Sequence, residues 1–294
     1  MINFDATTQK FYADVNGQRI ESPNKGYLQQ KLKKFAQQPI AVATVPVISV
    51  DAPVCEFDIN QRFNYVERVV GMVASDIQPS AIICGEGGLG KSHTVINTLQ
   101  KAGRIDVSLL DDFDTSDVNA FKVVKGFSTA KGMYRTLYEN RNGVVVFDDC
   151  DRVLRDPDAL NLLKAALDSY STRVISWNAE TRDEELPRSF VFEGGVIFIS
   201  NWQSSRIDQA IRSRSMVIDL TMTHREKIDR MRFIMGESSF MPDVPSYMKE
   251  ESLRLIEENP SAKEVSMRTL IKVCKIRQNG GADWADFAKY MMTN

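Results

Sequence analysis

At 294 residues the chain is long enough to bury a full hydrophobic core and to divide into a large and a small domain. Its 43% apolar and 26% charged residues are those of an ordinary globular protein, which excludes a low-complexity or collagen-like chain. A formal net charge of −2 supplies no global attraction to nucleic acid or anionic membrane, so any polyanion site has to be a local patch.

Four widely spaced cysteines, Cys55, Cys84, Cys150 and Cys274, form no C-x-x-C pair, and His93 and His224 are the only histidines. That usage argues against a zinc site or a histidine-rich metal centre and fits free thiols in a reducing compartment. No apolar run approaches the roughly 20 residues needed to span a bilayer. The opening MINFDATTQK lacks the charged-then-apolar form of a signal peptide, so the expected location is cytoplasmic, with no membrane partner.

In chain order, residues 1–60 read as an N-terminal arm or extension. A helix is expected around 27–37, beside a basic cluster of Lys25, Lys31, Lys33 and Lys34 whose ordinary reading is a solvated helix face. The following PIAVATVPVISVDAPV is apolar but interrupted by Pro39, Pro46 and Pro53. Proline removes ladder donors, so an edge strand or an extended arm is expected there.

From Arg62 the text becomes regular. RFNYVERVVGMVAS has helical apolar spacing, and SAIIC reads as a short buried strand. Helices and strands then alternate: KSHTVINTLQKAG, FKVVKGF, TAKGMYRTLYENR, GVVVFDD, DALNLLKAALDSY, GGVIFISN, SRIDQAIRSR and SMVIDL. That alternation predicts an α/β domain with a parallel sheet over 61–221. Beyond Leu220 only helical patterns remain, so 222–294 reads as a small helical domain, opened by a capping box at Thr223 and Glu226.

Between SAIIC and KSHTVINTL lies GEGGLGKS, which fits G-x-x-x-x-G-K-[ST] at Gly85, Gly90, Lys91 and Ser92. Glycines let such a loop curl so that backbone N–H groups point inward at phosphates, and the following helix adds its positive dipole end. The expected nucleotide contacts are Gly85, Glu86, Gly87, Gly88, Leu89, Gly90, Lys91, Ser92 and His93. Lys91 would reach the β/γ-phosphates, and the Ser92 hydroxyl would ligate Mg²⁺.

VVVFDDCD presents a related problem, because a buried apolar strand (Val144 to Phe147) runs into adjacent carboxylates. Buried carboxylates need compensation. In P-loop proteins a second strand ends in an acid that holds the metal beside the phosphate loop. Asp148 is the candidate metal partner, and Asp149 the candidate that polarises the attacking water. ATP and Mg²⁺ are the implied cofactors.

With these motifs in place, residues 60–294 resemble the AAA+ ATPases. VIFISN is similar to the strand carrying the sensor-1 residue, with Asn201 at the usual asparagine. IDQAIRSRSMVIDL resembles the arginine-finger segment, with Arg214 the best match and Arg212 the second. SMRTLIKV resembles the sensor-2 helix, with Arg268 near its start. The resemblance implies an α/β P-loop domain with a helical lid, an active site completed by a neighbouring subunit, and a homo-oligomer, as a hexameric ring. The ordinary readings are a strand-end turn for Asn201 and paired or dipole-stabilised helix arginines for the others.

Two stretches depart from the common pattern. AAA+ proteins usually carry Glu where this chain has Asp149, although viral superfamily 3 helicases, in the same broad group, include acidic variants there. TRVISWNAETRDEELPRSFVFEGG is similar to the pre-sensor-1 hairpin of one AAA+ clade, with strands expected around 172–177 and 189–192. Its tip holds Glu180, Arg182, Asp183, Glu184, Glu185 and Arg188, a net of about −2, which is poor for gripping phosphates. In KGFSTAKGMYR, at the pore-loop position of AAA+ motors, Phe127, Lys131 and Met133 are the candidate substrate contacts, with helix-start core packing as the alternative. The leading expectation is an ATPase that remodels or translocates nucleic acid, helicase- or helicase-loader-like and of viral type. A protein-remodelling ATPase and a nucleotide-gated scaffold are the alternatives.

Overall fold

The computed structural model describes residues 2–5, 8–15, 18–26, 28–29, 55–110, 117–126, 129–168, 170–177, 186–259 and 262–294. They fall into two units, Met1–Val50 and Asp51–Asn294.

In the first unit, β1 (Asn3–Asp5), β2 (Lys10–Val15) and β3 (Gln18–Ser22) form an antiparallel meander. Cross-strand pairs hold it. Phe4 and Phe11 stand opposite in register with ring centroids 4.9 Å apart. The Arg19 guanidinium lies 3.8 Å from the Tyr12 ring centre and pairs with Asp5 and Glu21, each at 3.1 Å. The expectation of an arm or extension over 1–60 named no strands here, because short, charge-interrupted strands leave no apolar alternation to read. The body of the helix expected at 27–37 and the proline-punctuated run at 39–54 lie outside the described residues, as do Lys31, Lys33 and Lys34.

The second unit opens with α1 (Ile59–Ala74). Its N-terminus is fixed by a capping box, in which Asp58 accepts from the Asn60 and Gln61 N–H groups and Gln61 accepts from the Asp58 N–H. There follow β4 (Ser80–Cys84), α2 (Lys91–Lys101), β5 (Ile105–Asp106), β6 (Ala120–Lys125), α3 (Ala130–Glu139), β7 (Val144–Asp148) and α4 (Pro157–Ala166). After a hairpin of β8 (Val174–Ser176) and β9 (Ser189–Val191) come β10 (Gly195–Ile199), α5 (Gln209–Arg212) and β11 (Met216–Asp219). Six strands form one parallel sheet in the order β11-β4-β10-β7-β6-β5.

The protein is therefore α/β with a parallel sheet, followed by a helical section. β4, β7 and β10 are buried along their whole length. Their unbroken apolar runs follow from burial on both faces, where alternation would place polar groups in the core. One face packs Val66, Leu99, Val146 and Ile197; the other packs Met133, Leu137, Leu163 and Phe198. The edge strand β5 is only two residues long and left no sequence signal.

The helical section comprises α6 (His224–Met235), α7 (Ser246–Glu257), α8 (Met267–Asn279) and α9 (Trp284–Thr293). Its Met231, Leu253, Leu270 and Val273 join the same core as Val66 and Val146, so the section and the sheet form one compact unit. No helix among the described residues is long and apolar enough to cross a membrane. The hairpin strands fall inside the expected windows, whereas the acidic tip, from Asn178 to Glu185, lies outside the described residues.

Parallel pairing gathers the carboxyl ends of the strands at one edge. Ile199 sits beside Asp148, and Asp148 beside Lys125. The loops leaving β4, β7 and β10 therefore meet, which is where open α/β sheets place their ligands.

Candidate functional site

The loop after β4 is shaped by glycine. At Gly85 φ is +120°, and a Cβ would stand 2.7 Å from the Leu220 carbonyl carbon, so no other residue fits without moving β11's exit. At Gly88 φ is +83°, and a Cβ would stand 2.8 Å from the Cβ of Ser266, the N-cap of α8. The Gly88 carbonyl accepts from the Met267 N–H at 2.8 Å, so the helical section rests directly on this loop. Gly90, in the left-handed region, starts α2 and leaves that helix's first N–H groups facing a cavity of about 260 Å³. Gly87, Gly88, Gly90, Lys91, Ser92, His93, Asp149, Ile199, Asn201 and Arg268 line this cavity.

Lys91 is 5% exposed and folds back over its own loop, donating to the carbonyls of Gly85 and Glu86, both at 2.7 Å. It also donates to Asn201 Oδ1 at 3.1 Å. Burial lowers its pKa, opposed by the nearby charges of Asp149 and Asp148. An incoming anion would therefore meet a cation whose present partners are only neutral oxygens. Asn201 Nδ2 in turn donates to Asp149 Oδ1 at 2.6 Å, so Lys91, Asn201 and Asp149 form one chain of hydrogen bonds.

Ser92 Oγ donates to Asp148 Oδ1 at 2.9 Å, which brings together the two expected metal partners. The other Asp148 oxygen faces the ammonium of Lys125, 3.5 Å away at the end of the neighbouring strand. No group of three or more His, Cys, Asp or Glu side chains that could cage a metal occurs among the described residues. One carboxylate and one hydroxyl suit Mg²⁺, which keeps waters and takes its remaining oxygens from a phosphate chain. The donor set thus fits a phosphate-borne magnesium.

Asp149 has φ +57°, the left-handed region, directly after β7. Asp is several-fold enriched there among non-glycine residues, because its short side chain can bond locally. That supplies a backbone reason for Asp in place of Glu. Asp151, which the sequence left without a role, accepts from Ser200 Oγ at 2.6 Å, and Ser200 Oγ accepts from the Trp202 N–H at 3.0 Å. The Trp202 carbonyl then accepts from the Gly85 N–H, tying the turn after β10 to the glycine loop after β4.

The remaining expected residues separate into several places. Leu89 is fully buried, so only its backbone can serve the cavity; His93 lines it and bonds Asn97 at 2.8 Å. The Glu86 carboxylate is ion-paired to Lys227 of α6. Arg268 lines the cavity from the first turn of α8. Arg214 instead lines a cavity of about 470 Å³ with Pro79, Gly194 and Gly195, at the amino ends of β4 and β10. It lies at the opposite edge of the sheet and donates to the Ala210 carbonyl at 2.9 Å. Arg212, half-buried at the end of α5, lines neither cavity.

Met133 requires a correction. It is fully buried among Tyr134, Leu137 and Phe147, so it is a core residue of α3 and not a substrate contact. Lys131 is exposed on the same helix, and Phe127 lies outside the described residues.

Besides Asp151, sequence reasoning missed three residues here. Lys125 and Lys227 acquire their partners through sheet order and helix packing, which carry no local signal. Arg230, 7% exposed, lies 3.6 Å from the centre of the Phe63 ring and bonds Asn60 at 3.0 Å, beside Gly90. Burial brings its pKa down to about 10. The thiols of Cys84 and Cys150 are pushed up, first by burial and then by neighbouring carboxylates, to about 12 and about 11. Both thiols are therefore held in the protonated form at neutral pH.

No protein-family model matches the chain. It is 32% identical over 185 residues to an uncharacterized 36.7 kDa protein in the nrdC-mobD intergenic region of Enterobacteria phage T4, covering 58% of this chain and 53% of that one. The chain therefore spans about half the length of this curated relative. Among solved structures it is similar to C. elegans PCH-2 (TM-score 0.38, 12% identity, 80% of this chain and 66% of that one). It is also similar to Drosophila ORC bound to DNA (0.42, 14%, 90% and 73%) and to the E. coli MS115-1 HORMA:CdnC:Trip13 complex (0.38, 12%, 80% and 88%). All three scores are low, so the reading of the site rests on its own residues.

Proposed function

We propose that residues 61–294 form an AAA+ ATPase, with an α/β domain over 61–221 and a lid over 222–294, that binds Mg-ATP at residues 85–93 and hydrolyses it. The observation that carries this reading is the Ser92–Asp148 hydrogen bond at the mouth of a glycine loop whose lysine is held only by neutral oxygens. Bound Mg²⁺ would neutralise charge on the phosphate oxygens. Ser92 and Asp148 would hold that ion, and Lys91 would leave its carbonyl partners for the β/γ-phosphates. Asp149 orients the attacking water and takes its proton, with its carboxylate fixed by Asn201. Arg268 reaches the phosphates from the lid.

Arg214, with Arg212 as the second candidate, serves a neighbouring subunit. Its place at the opposite edge of the sheet supports this, because it cannot reach the cavity of its own chain. Oligomerisation follows from that assignment, and the AAA+ resemblance adds a hexameric ring as its form. The polymer acted on is nucleic acid, in a helicase- or helicase-loader-like role in DNA replication or processing, and the phage relative is in keeping with a viral origin. A protein-remodelling role is the second reading, favoured by the acidic composition of the hairpin tip.

Phosphate release measured with single-stranded DNA, duplex DNA or unfolded polypeptide separates the two. Stimulation by DNA is expected; stimulation by polypeptide alone would move the proposal to the second reading. Co-assembled Lys91→Ala and Arg214→Ala subunits are expected to regain turnover that neither has alone. Mixtures that never exceed either parent would refute the shared site.

A further inference from the structure

Arg230 of α6 is more than nine-tenths buried, yet it forms no ion pair among the described residues. Its Nη1 donates to Asn60 Oδ1 at 3.0 Å, and its guanidinium lies 3.6 Å from the centre of the Phe63 ring and 5.3 Å from that of Phe233. Glu67 and Glu237 act on it only from a distance, and burial outweighs them both. A charge taken out of water is costly unless an anion or a full set of acceptors meets it. One amide oxygen and an aromatic face do not make such a set.

The nitrogens left over form one edge. On a guanidinium, Nε and Nη2 lie side by side, and together they match two oxygens of a phosphate or carboxylate. Here the Nε–H is buried without an acceptor, and Nη2 makes no hydrogen bond among the described residues. Nη2 is also the end that meets the glycine loop. It would stand 3.9 Å from a Cβ at Gly90, the residue that lines the nucleotide cavity and starts α2. Glycine there keeps a side chain out of the gap, and the first N–H groups of α2 favour an anion on the same ground.

We infer that the Nε–Nη2 edge of Arg230 takes oxygens of the nucleotide's α- and β-phosphates, so that α6 supplies a phosphate ligand to the glycine-loop site. This adds a residue to the nucleotide site proposed above and rests on that reading. The glycine part of such a loop cradles the α/β-phosphates, whereas its lysine reaches the β/γ-phosphates. A contact made beside Gly90 therefore serves ADP as fully as ATP. The helical section keeps its hold on the nucleotide after the γ-phosphate has left.

The test is calorimetric titration of the full chain with ATP and with ADP, each with Mg²⁺. Arg230→Gln is expected to weaken both nucleotides by the same factor, about ten-fold or more. Arg230→Lys keeps the charge without the fork and is expected to recover only part of that loss. Because Arg230 also packs on Phe63, a denaturant titration accompanies each variant. Asn60→Asp probes the same edge with Arg230 in place. Its carboxylate gives the guanidinium an ion pair, so the denaturant midpoint is expected to rise while both nucleotides bind more weakly. A purely structural Arg230 would move the midpoint and leave the affinities alone. A folded Arg230→Gln chain with parental affinities, a loss confined to ATP, or a stabilised Asn60→Asp chain with unchanged affinities would overturn the inference and leave the nucleotide site standing. A parent chain that binds neither nucleotide would overturn the nucleotide reading itself.

Discussion

Asp149 is where residue-scale chemistry and backbone geometry meet. Its left-handed conformation suits a short polar side chain, and its carboxylate is held by Asn201. Asp149→Asn is expected to keep the fold, tolerate φ +57°, bind Mg-ATP normally and lose steady-state turnover. Asp149→Glu adds a methylene and puts a residue less suited to that region there, at a cost on the order of 1 kcal/mol. Denaturant titration and phosphate release on the two variants check this, and an Asn variant with full turnover would give the water-orienting role to another residue. Lys125 adds a second residue-scale expectation. It shields Asp148, so Lys125→Met is expected to lower the half-saturating Mg²⁺ concentration for fluorescent-nucleotide binding. The change should be only a few-fold, because Lys125 is 65% exposed and its charge is screened. The acids themselves were legible in VVVFDDCD. The lysine was not, because strand β6 lies beside β7 only once the sheet order is known.

At the scale of elements, three residues of the glycine loop each touch the helical section: Glu86 pairs with Lys227, Gly88 carries the N-terminus of α8, and Gly90 abuts Arg230 and Ile234. A rearrangement of the loop would therefore bear directly on α6 and α8. Lys227→Met is expected to loosen that link, which hydrogen exchange should show as faster exchange of α6 amides with the sheet unaffected. Met133→Ala belongs to the same scale. As a fully buried core methionine it is expected to cost about 2–5 kcal/mol by denaturant titration, and little change there would return Met133 to the surface. Helix and strand order was legible because buried strands read as apolar runs and helices as apolar stripes with caps, as at Asp58 and Thr223. The β1–β3 meander and β5 were not, because strands of two to six residues with interspersed charge give no period.

For the whole molecule, the buried thiols set an alkaline limit on stability. A thiol whose pKa is raised in the folded chain resists ionisation that the unfolded chain undergoes near its ordinary value, so stability is lost as pH rises from there toward about 11 for Cys150 and about 12 for Cys84. Each is expected to contribute a loss of up to about 1.4 kcal/mol per pH unit in that window. Replacing Cys84 or Cys150 by Ala should reduce the alkaline slope of stability against pH. The glycine loop and the acids after β7 were readable as local words, whereas the separation of Arg214 from the glycine-loop cavity by the full height of the sheet depends on the assembled fold.

Everything proposed for the chain depends on the glycine loop, with Lys91 and the Ser92–Asp148 pair, being a Mg-ATP site. Isothermal titration of ATP into the full chain, with Mg²⁺ and with EDTA, addresses it most directly. The expected result is one site per chain, tighter with Mg²⁺, lost in Lys91→Ala, and with the Mg²⁺ dependence abolished in Asp148→Asn. Binding that is absent in the parent chain, or unchanged in both variants, would contradict it.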